Sequence, residues 1–148
     1  PPPPPPSAPP QPLVVQNLSY GAEALFPFGQ SDENSIRPAA RHEVEQSVAR
    51  ALQGGFKPTQ AAVTGHTDRI NQSGRKDFNQ QLSRNRAEAV AQVLVAAGID
   101  RALITVIGKG DEQPVVACDG VFPNTAALKE CLAPNRRVEV QMKGRRPQ

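Results

Sequence analysis

The chain has 148 residues, a net charge of +3 and a pI near 9.2, which suits one domain with a proper core plus tails. Hydrophobic residues make up 38% and aromatics only 4%, with no tryptophan, so the core is expected to be aliphatic. No apolar run approaches the ~20 residues of a membrane-crossing helix, and a charge this mild, much of it in Arg136, Arg137, Lys143, Arg145 and Arg146, does not argue for nucleic acid.

In chain order, residues 1–12 (PPPPPPSAPPQP) read as a polyproline II spacer, unable to form a core and holding its two ends apart semi-rigidly. The chain starts without Met and without a leader pattern, so it is expected to lie inside a longer protein or to follow a processed leader. The folded domain is expected over 13–143. Residues 14–28 offer one or two short strands around a turn at Tyr20-Gly21. A helix follows, with Pro38 in its first turn and Ser35 as a cap; Ala40, Val44, Val48, Ala51 and Leu52 form its apolar stripe, and Gly54-Gly55 stop it. A strand runs through "QAAVTGHTD", a polar loop follows, and a long helix spans about Asp77 to Ala97. "ALITVIGKGD" is a further strand, "NTAALKECL" a short helix, and "RRVEVQMK" a last strand with Val138, Val140 and Met142 on one face. Residues 144–148 read as a frayed basic tail. The alternation predicts an α/β fold, an α+β sandwich with a mixed sheet of about four strands and helices packed on one face. The first part is expected to be parallel, and the pairing direction of the last strand is open.

The long helix has one residue out of place. At ~100° per residue, Leu82, Ala89, Val90 and Val93 share a stripe about 80° wide, and Arg86 lies in its middle. A buried cation needs a partner. Asp68 supplies one, because it sits just past a strand end, where α/β ligand sites gather. The pair reads either as an internal salt bridge or as an open clamp for a zwitterion. In the clamp, Asp68 accepts from an ammonium and Arg86 grips a carboxylate with two N–H groups. Asn79 shares the helix face and stands at the rim, and backbone N–H groups near Thr67 and in the 69–75 loop add contacts.

Cys118 and Cys131 bracket a turn-rich stretch, with no CxxC or Cys/His cluster to argue for zinc. Two readings remain: buried free thiols or a disulfide, and the disulfide is preferred. Other constellations are weaker. His66, Asp68 and Ser73 or Ser83 lack a nucleophile elbow, so no catalytic residue is assigned. His42 sits apart from His66 on another helix, so no metal or other cofactor is assigned. "GKGDEQP" lacks the remaining spacing of a nucleotide loop, and Asp111 and Glu112 are expected to order the turn. Arg137 is expected to pair with a carboxylate on a neighbouring strand, and Arg136 to be solvated.

"VTGHTDRINQSG" followed by "NQQLSRNRAEAV", then Gly98-Ile99, Gly108-Lys109-Gly110 and Arg136 to Glu139, resembles the OmpA-like C-terminal domain, a peptidoglycan-anchoring module of Gram-negative envelopes. The resemblance runs from about Leu25 to Met142 and is closest to the disulfide-bearing OmpA branch, in which Cys118 and Cys131 are joined. It implies a non-enzymatic domain that binds peptidoglycan through the meso-diaminopimelate of the stem peptide. By position Asp68 takes the amino group and Arg86 the carboxylate, with Asn79, Leu82 and Thr67 shaping the pocket. It further implies a periplasmic domain of an outer-membrane protein, attached upstream to a barrel or lipid anchor, with homodimerisation open. Two departures stand out. The loop over 69–78 is about three residues longer than usual, and Pro27 or Gly29 stands where relatives often carry an acidic or amide side chain. These departures support an alternative: a periplasmic protein-interaction domain of the same fold without peptidoglycan binding.

Overall fold

A computed structural model describes residues 1–6, 12–71 and 73–147. The expected proline spacer therefore falls partly outside the described residues; Pro1 to Pro6 are exposed and carry no helix or strand. Gln72 of the long loop and Gln148 of the tail also lie outside them.

Strand β1 (Leu13–Gly21) leads directly into a one-turn helix α1 (Ala22–Leu25), so the second of the two strands considered there does not form. Helix α2 (Pro38–Gln53) begins with Pro38 at its N-terminus, where a missing N–H costs no intrahelical bond. Its cap is Arg37 and not Ser35, whose hydroxyl instead donates to the Asp32 carbonyl. β2 (Lys57–His66), α3 (Phe78–Ala96) and β3 (Ile104–Gly108) follow. The short helix α4 (Thr125–Leu132) is capped by the Asn124 side chain, which accepts from the Ala127 N–H. β4 (Arg137–Arg145) closes the domain. It runs two residues past the expected boundary, because Gly144 and Arg145 pair with both β1 and β2. Just beyond it the Arg146 N–H donates to the Pro12 carbonyl, so the expected frayed tail is held at its start.

The sheet order is β1-β4-β2-β3. β2 and β3 are parallel neighbours, joined through α3, while β4 is antiparallel to both β1 and β2. The last strand therefore inserts between the first two. β1, β2 and β3 point the same way, so their carboxyl ends and the start of β4 meet at one edge.

Strand alternation divides the two faces. Tyr20, Ala61, Val63, Val138, Val140 and Met142 join the core against Val44 and Val48 of α2 and Val90, Val93 and Leu94 of α3. Each fully buried valine, leucine or methionine among them contributes about 1.5–3 kcal/mol. The expectation of an aliphatic core needs one amendment: Phe26 and Phe56 are also among the largest fully buried side chains. On the other face lie Asn17, Ser19, Ala62, Thr64, Glu139 and Gln141, which line a concavity of about 520 Å³ left by the sheet's curvature.

α3 lies unusually close to the ends of β2 and β3. A Cβ at Gly65 would fall 1.9 Å from the Ser83 carbonyl oxygen, and one at Gly108 would fall 2.7 Å from the Arg84 Cβ. These two glycines are register partners, so they form one flat patch on which the first turns of α3 rest. Close contact is fixed by polar bonds. The Gly110 N–H donates to the Ser83 hydroxyl, and the Gln80 side-chain amide donates to the Gly108 carbonyl.

Candidate functional site

Asp68 follows β2 at the edge where the strand ends meet, and it is buried. One of its carboxylate oxygens accepts from the Ile70 N–H at 2.9 Å, closing a tight turn. Its backbone carbonyl accepts from the Thr67 hydroxyl at 2.9 Å and from the Asn79 side-chain amide at 3.3 Å. That same amide donates to the Ile70 carbonyl, and the Thr67 N–H donates to the Gly110 carbonyl. The Asn79 amide nitrogen and the Thr67 hydroxyl and N–H are thus engaged inside the loop. The Asn79 amide ties the turn to α3, and the N–H groups of Thr67 and Ile70 are already bonded within the protein.

Arg86 lies two turns along α3 from Asn79, on the same face, with half-buried Leu82 one turn before it. Its guanidinium stacks over the Phe26 ring at 5.5 Å and its Nε donates to the Gln30 carbonyl at 3.2 Å. The 27–30 turn therefore offers Arg86 a backbone carbonyl. Among the described residues, no carboxylate lies within ion-pair distance of Arg86. Burial makes its charged form costlier; Glu23 and Asp68 favour the charge from a distance, and Arg136 opposes it.

The internal Asp68–Arg86 salt bridge considered from the sequence does not form. Asp68 pairs with Arg136, whose Nη1 donates to Asp68 Oδ2 at 2.7 Å. This overturns the expectation of a solvated Arg136. Its Nε also meets Glu23 Oε1 at 2.5 Å, and Nη1 donates to the Lys129 carbonyl. Burial works against the Arg136 charge, but hydrogen bonds to Asp68 and Glu23 outweigh it and hold the guanidinium firmly protonated. Arg137 also departs from expectation: its carboxylate is Glu139, two residues on in the same strand, at 2.6 Å. Sequence reading missed Glu23 and Arg136. They are 113 residues apart, and only the antiparallel pairing of β1 with β4 brings them together.

The disulfide forms between Cys118 and Cys131, and the Lys129 carbonyl within its loop shares Arg136 Nη1 with Asp68. Arg69, next in the chain, donates to the Ala117 and Cys118 carbonyls at 2.6 and 3.1 Å. Within the long loop, Asn71 bonds to Ser73 and to the Arg75 carbonyl, and Arg75 stacks on Phe78 at 5.6 Å. His66 lies on the opposite sheet face, with Glu139 at 3.4 Å as its neighbour. The Ser83 hydroxyl bonds to Gln80 and Gly110, and the Ser73 hydroxyl to Asn71, so neither serine engages the imidazole. No cluster of three or more metal-ligating side chains occurs among the described residues.

The arrangement is a set of four charges at one sheet edge. Two guanidiniums and two carboxylates converge there, and Arg86 alone of the four has no ion-pair partner among the described residues. Such a set can hold a small molecule carrying both signs.

Known proteins resemble this chain in sequence and fold. The OmpA family pattern matches residues 26–120. Outer membrane protein A of Klebsiella pneumoniae is 36% identical over 134 residues, covering 89% of this chain and 37% of the relative. The chain thus spans well under half of that relative. The cell wall anchor of the T6SS from Pseudomonas aeruginosa superposes with a TM-score of 0.65 at 26% identity, covering 89% of this chain and 87% of that one. The peptidoglycan-associated lipoprotein from Burkholderia pseudomallei shares the fold, with a TM-score of 0.55 at 22% identity over 80% of this chain and 87% of that one. With the family pattern covering β2, β3 and both main helices, well over half of the chain, the chain belongs to the OmpA family.

Proposed function

We propose that this domain is a non-enzymatic cell-wall anchor that grips peptidoglycan non-covalently through the meso-diaminopimelate of the stem peptide. Asp68 receives the ammonium group and Arg86 the carboxylate, while Thr67, Asn79 and Leu82 hold the pocket's shape. The observation that carries the reading is Arg86: a half-buried guanidinium, held by Phe26 and Gln30, with its terminal amino groups unbonded to any described residue. A bidentate carboxylate is the natural guest for such a group. Support also comes from the cell wall anchor of Pseudomonas aeruginosa, at 26% identity over nearly the whole chain. On this reading the chain is a periplasmic domain of a Gram-negative outer-membrane protein, joined upstream to a barrel or lipid anchor.

One such site binds modestly, since a solvated zwitterion must shed water to enter. Repeated stems along the wall supply the holding strength through multivalency. Sedimentation with purified sacculi tests the assignment. Arg86→Ala is expected to stay in the supernatant while keeping the wild-type circular dichroism spectrum. Wild-type retention by that variant rejects the clamp and favours a protein-interaction role for the same fold.

A further inference from the structure

We infer that Glu23 is a positioning residue of this site: by engaging Arg136 it leaves Asp68 with negative charge to spare for the guest's ammonium group. The inference rests on the reading of Asp68 and Arg86 given above.

An Asp already paired with an Arg at 2.7 Å is a poor receptor for a second cation. A guanidinium and a carboxylate alone form a neutral pair, commonly through two parallel N–H donors. Here that pairing is held back. Arg136 turns its Nε edge to Glu23, and shares Nη1 between Asp68 and the Lys129 carbonyl. Asp68 therefore receives one contact instead of two. Its other oxygen accepts one N–H, from Ile70, and each carboxylate oxygen has a second lone pair. Two carboxylates on one guanidinium also leave the trio with one surplus negative charge. An incoming ammonium restores balance.

Glu23 is held in place for this. It lies on α1, which follows β1 without a loop. The Ala22 N–H donates to the Arg136 carbonyl, and the Glu23 carbonyl accepts from Arg37 Nε. The Glu23 side chain is 61% exposed, so its ion pair with Arg136 contributes little to folding. Replacing it changes the site's charge without disturbing the core. Glu23 also favours the charge on Arg86 from a distance. Its removal makes the carboxylate end of the pocket more electropositive, so the two ends of a zwitterion feel opposite effects.

The test uses the full chain and two free probes, meso-diaminopimelate and pimelate, the dicarboxylate without amino groups, titrated by NMR. Glu23→Gln is expected to weaken diaminopimelate binding about five- to tenfold, while pimelate binding stays level or tightens. Glu23→Asp is expected to restore part of the loss. Diaminopimelate affinity within about twofold of wild type in Glu23→Gln, or equal losses for both probes, overturns the role of Glu23 alone. Absence of diaminopimelate binding by the folded wild type overturns the site assignment, and the inference with it.

Discussion

A guanidinium on the inner side of a helix demands compensation, and Arg86 finds it in a ring face and a carbonyl. The anomaly was visible in the sequence because helical periodicity alone puts residue 86 among the apolar positions. The partner of Asp68 was not visible. Arg136 stands beside Arg137 in sequence, and nothing local tells which of two adjacent arginines meets which acid. Strand alternation sends them to different faces, Arg136 toward Asp68 and Glu23, Arg137 toward Glu139 and His66. His66 carries a prediction at this scale. Burial, reinforced by Arg137 and Lys109 and opposed by Glu139, holds its imidazole below the ordinary histidine range. The folded state therefore prefers the neutral ring, while the unfolded chain takes up a proton near pH ~6.5. Its contribution is complete above that value and is lost as pH falls toward the depressed folded pKa. Thermal unfolding is expected to show a fall in Tm between pH 7 and 5.5 that is smaller in His66→Asn; parallel falls in both proteins assign the acid sensitivity elsewhere.

Among elements, the long helix and the strands were legible from apolar spacing, and the bounds of α3 fall within one residue of expectation. What spacing does not encode is how closely a helix lies on its sheet. That distance is set by Gly65 and Gly108, register partners at the ends of β2 and β3. Gly65→Ala forces a methyl group into the Ser83 backbone, which cannot move without lifting α3. The expected cost is about 3 kcal/mol or more, among the largest for any point change. Gly21→Ala is the matched control, since its φ of −65° suits any residue and its Cβ would meet nothing within 4 Å. Urea unfolding of the two variants checks the contrast. A small loss for Gly65→Ala shows that α3 can shift, and then the helix does not fix the distance between Asp68 and Arg86. The same logic explains the cap misreading at α2. Ser35 has the chemistry of a cap, but Pro38 sets the first turn three residues later.

For the whole molecule, sequence patterning gave a mixed four-stranded sheet with its helices, while leaving the direction of the last strand open. Direction depends on which neighbours β4 finds, and those neighbours are the two strands farthest from it in sequence. The disulfide acts at the same scale. Cys118 and Cys131 lie 13 residues apart and tie the segment that receives Arg69 and Arg136. Closing such a loop restrains the unfolded chain by roughly 3 kcal/mol in the entropic view. Reduction with a mild thiol is expected to lower the urea midpoint and to weaken retention on sacculi, with the helical circular dichroism signal kept. Unchanged retention after reduction separates the loop from the binding surface.

The central place of β4 also sets a clock. A chain delivered from its N-terminus exposes β1, β2 and β3 first, and these cannot close into one sheet, because the strand between β1 and β2 is the last to arrive. Arg136, at the threshold of that strand, comes equally late, and until then Asp68 and Glu23 have no cation between them. On the function proposed above, a chain that stops short of β4 has no finished grip.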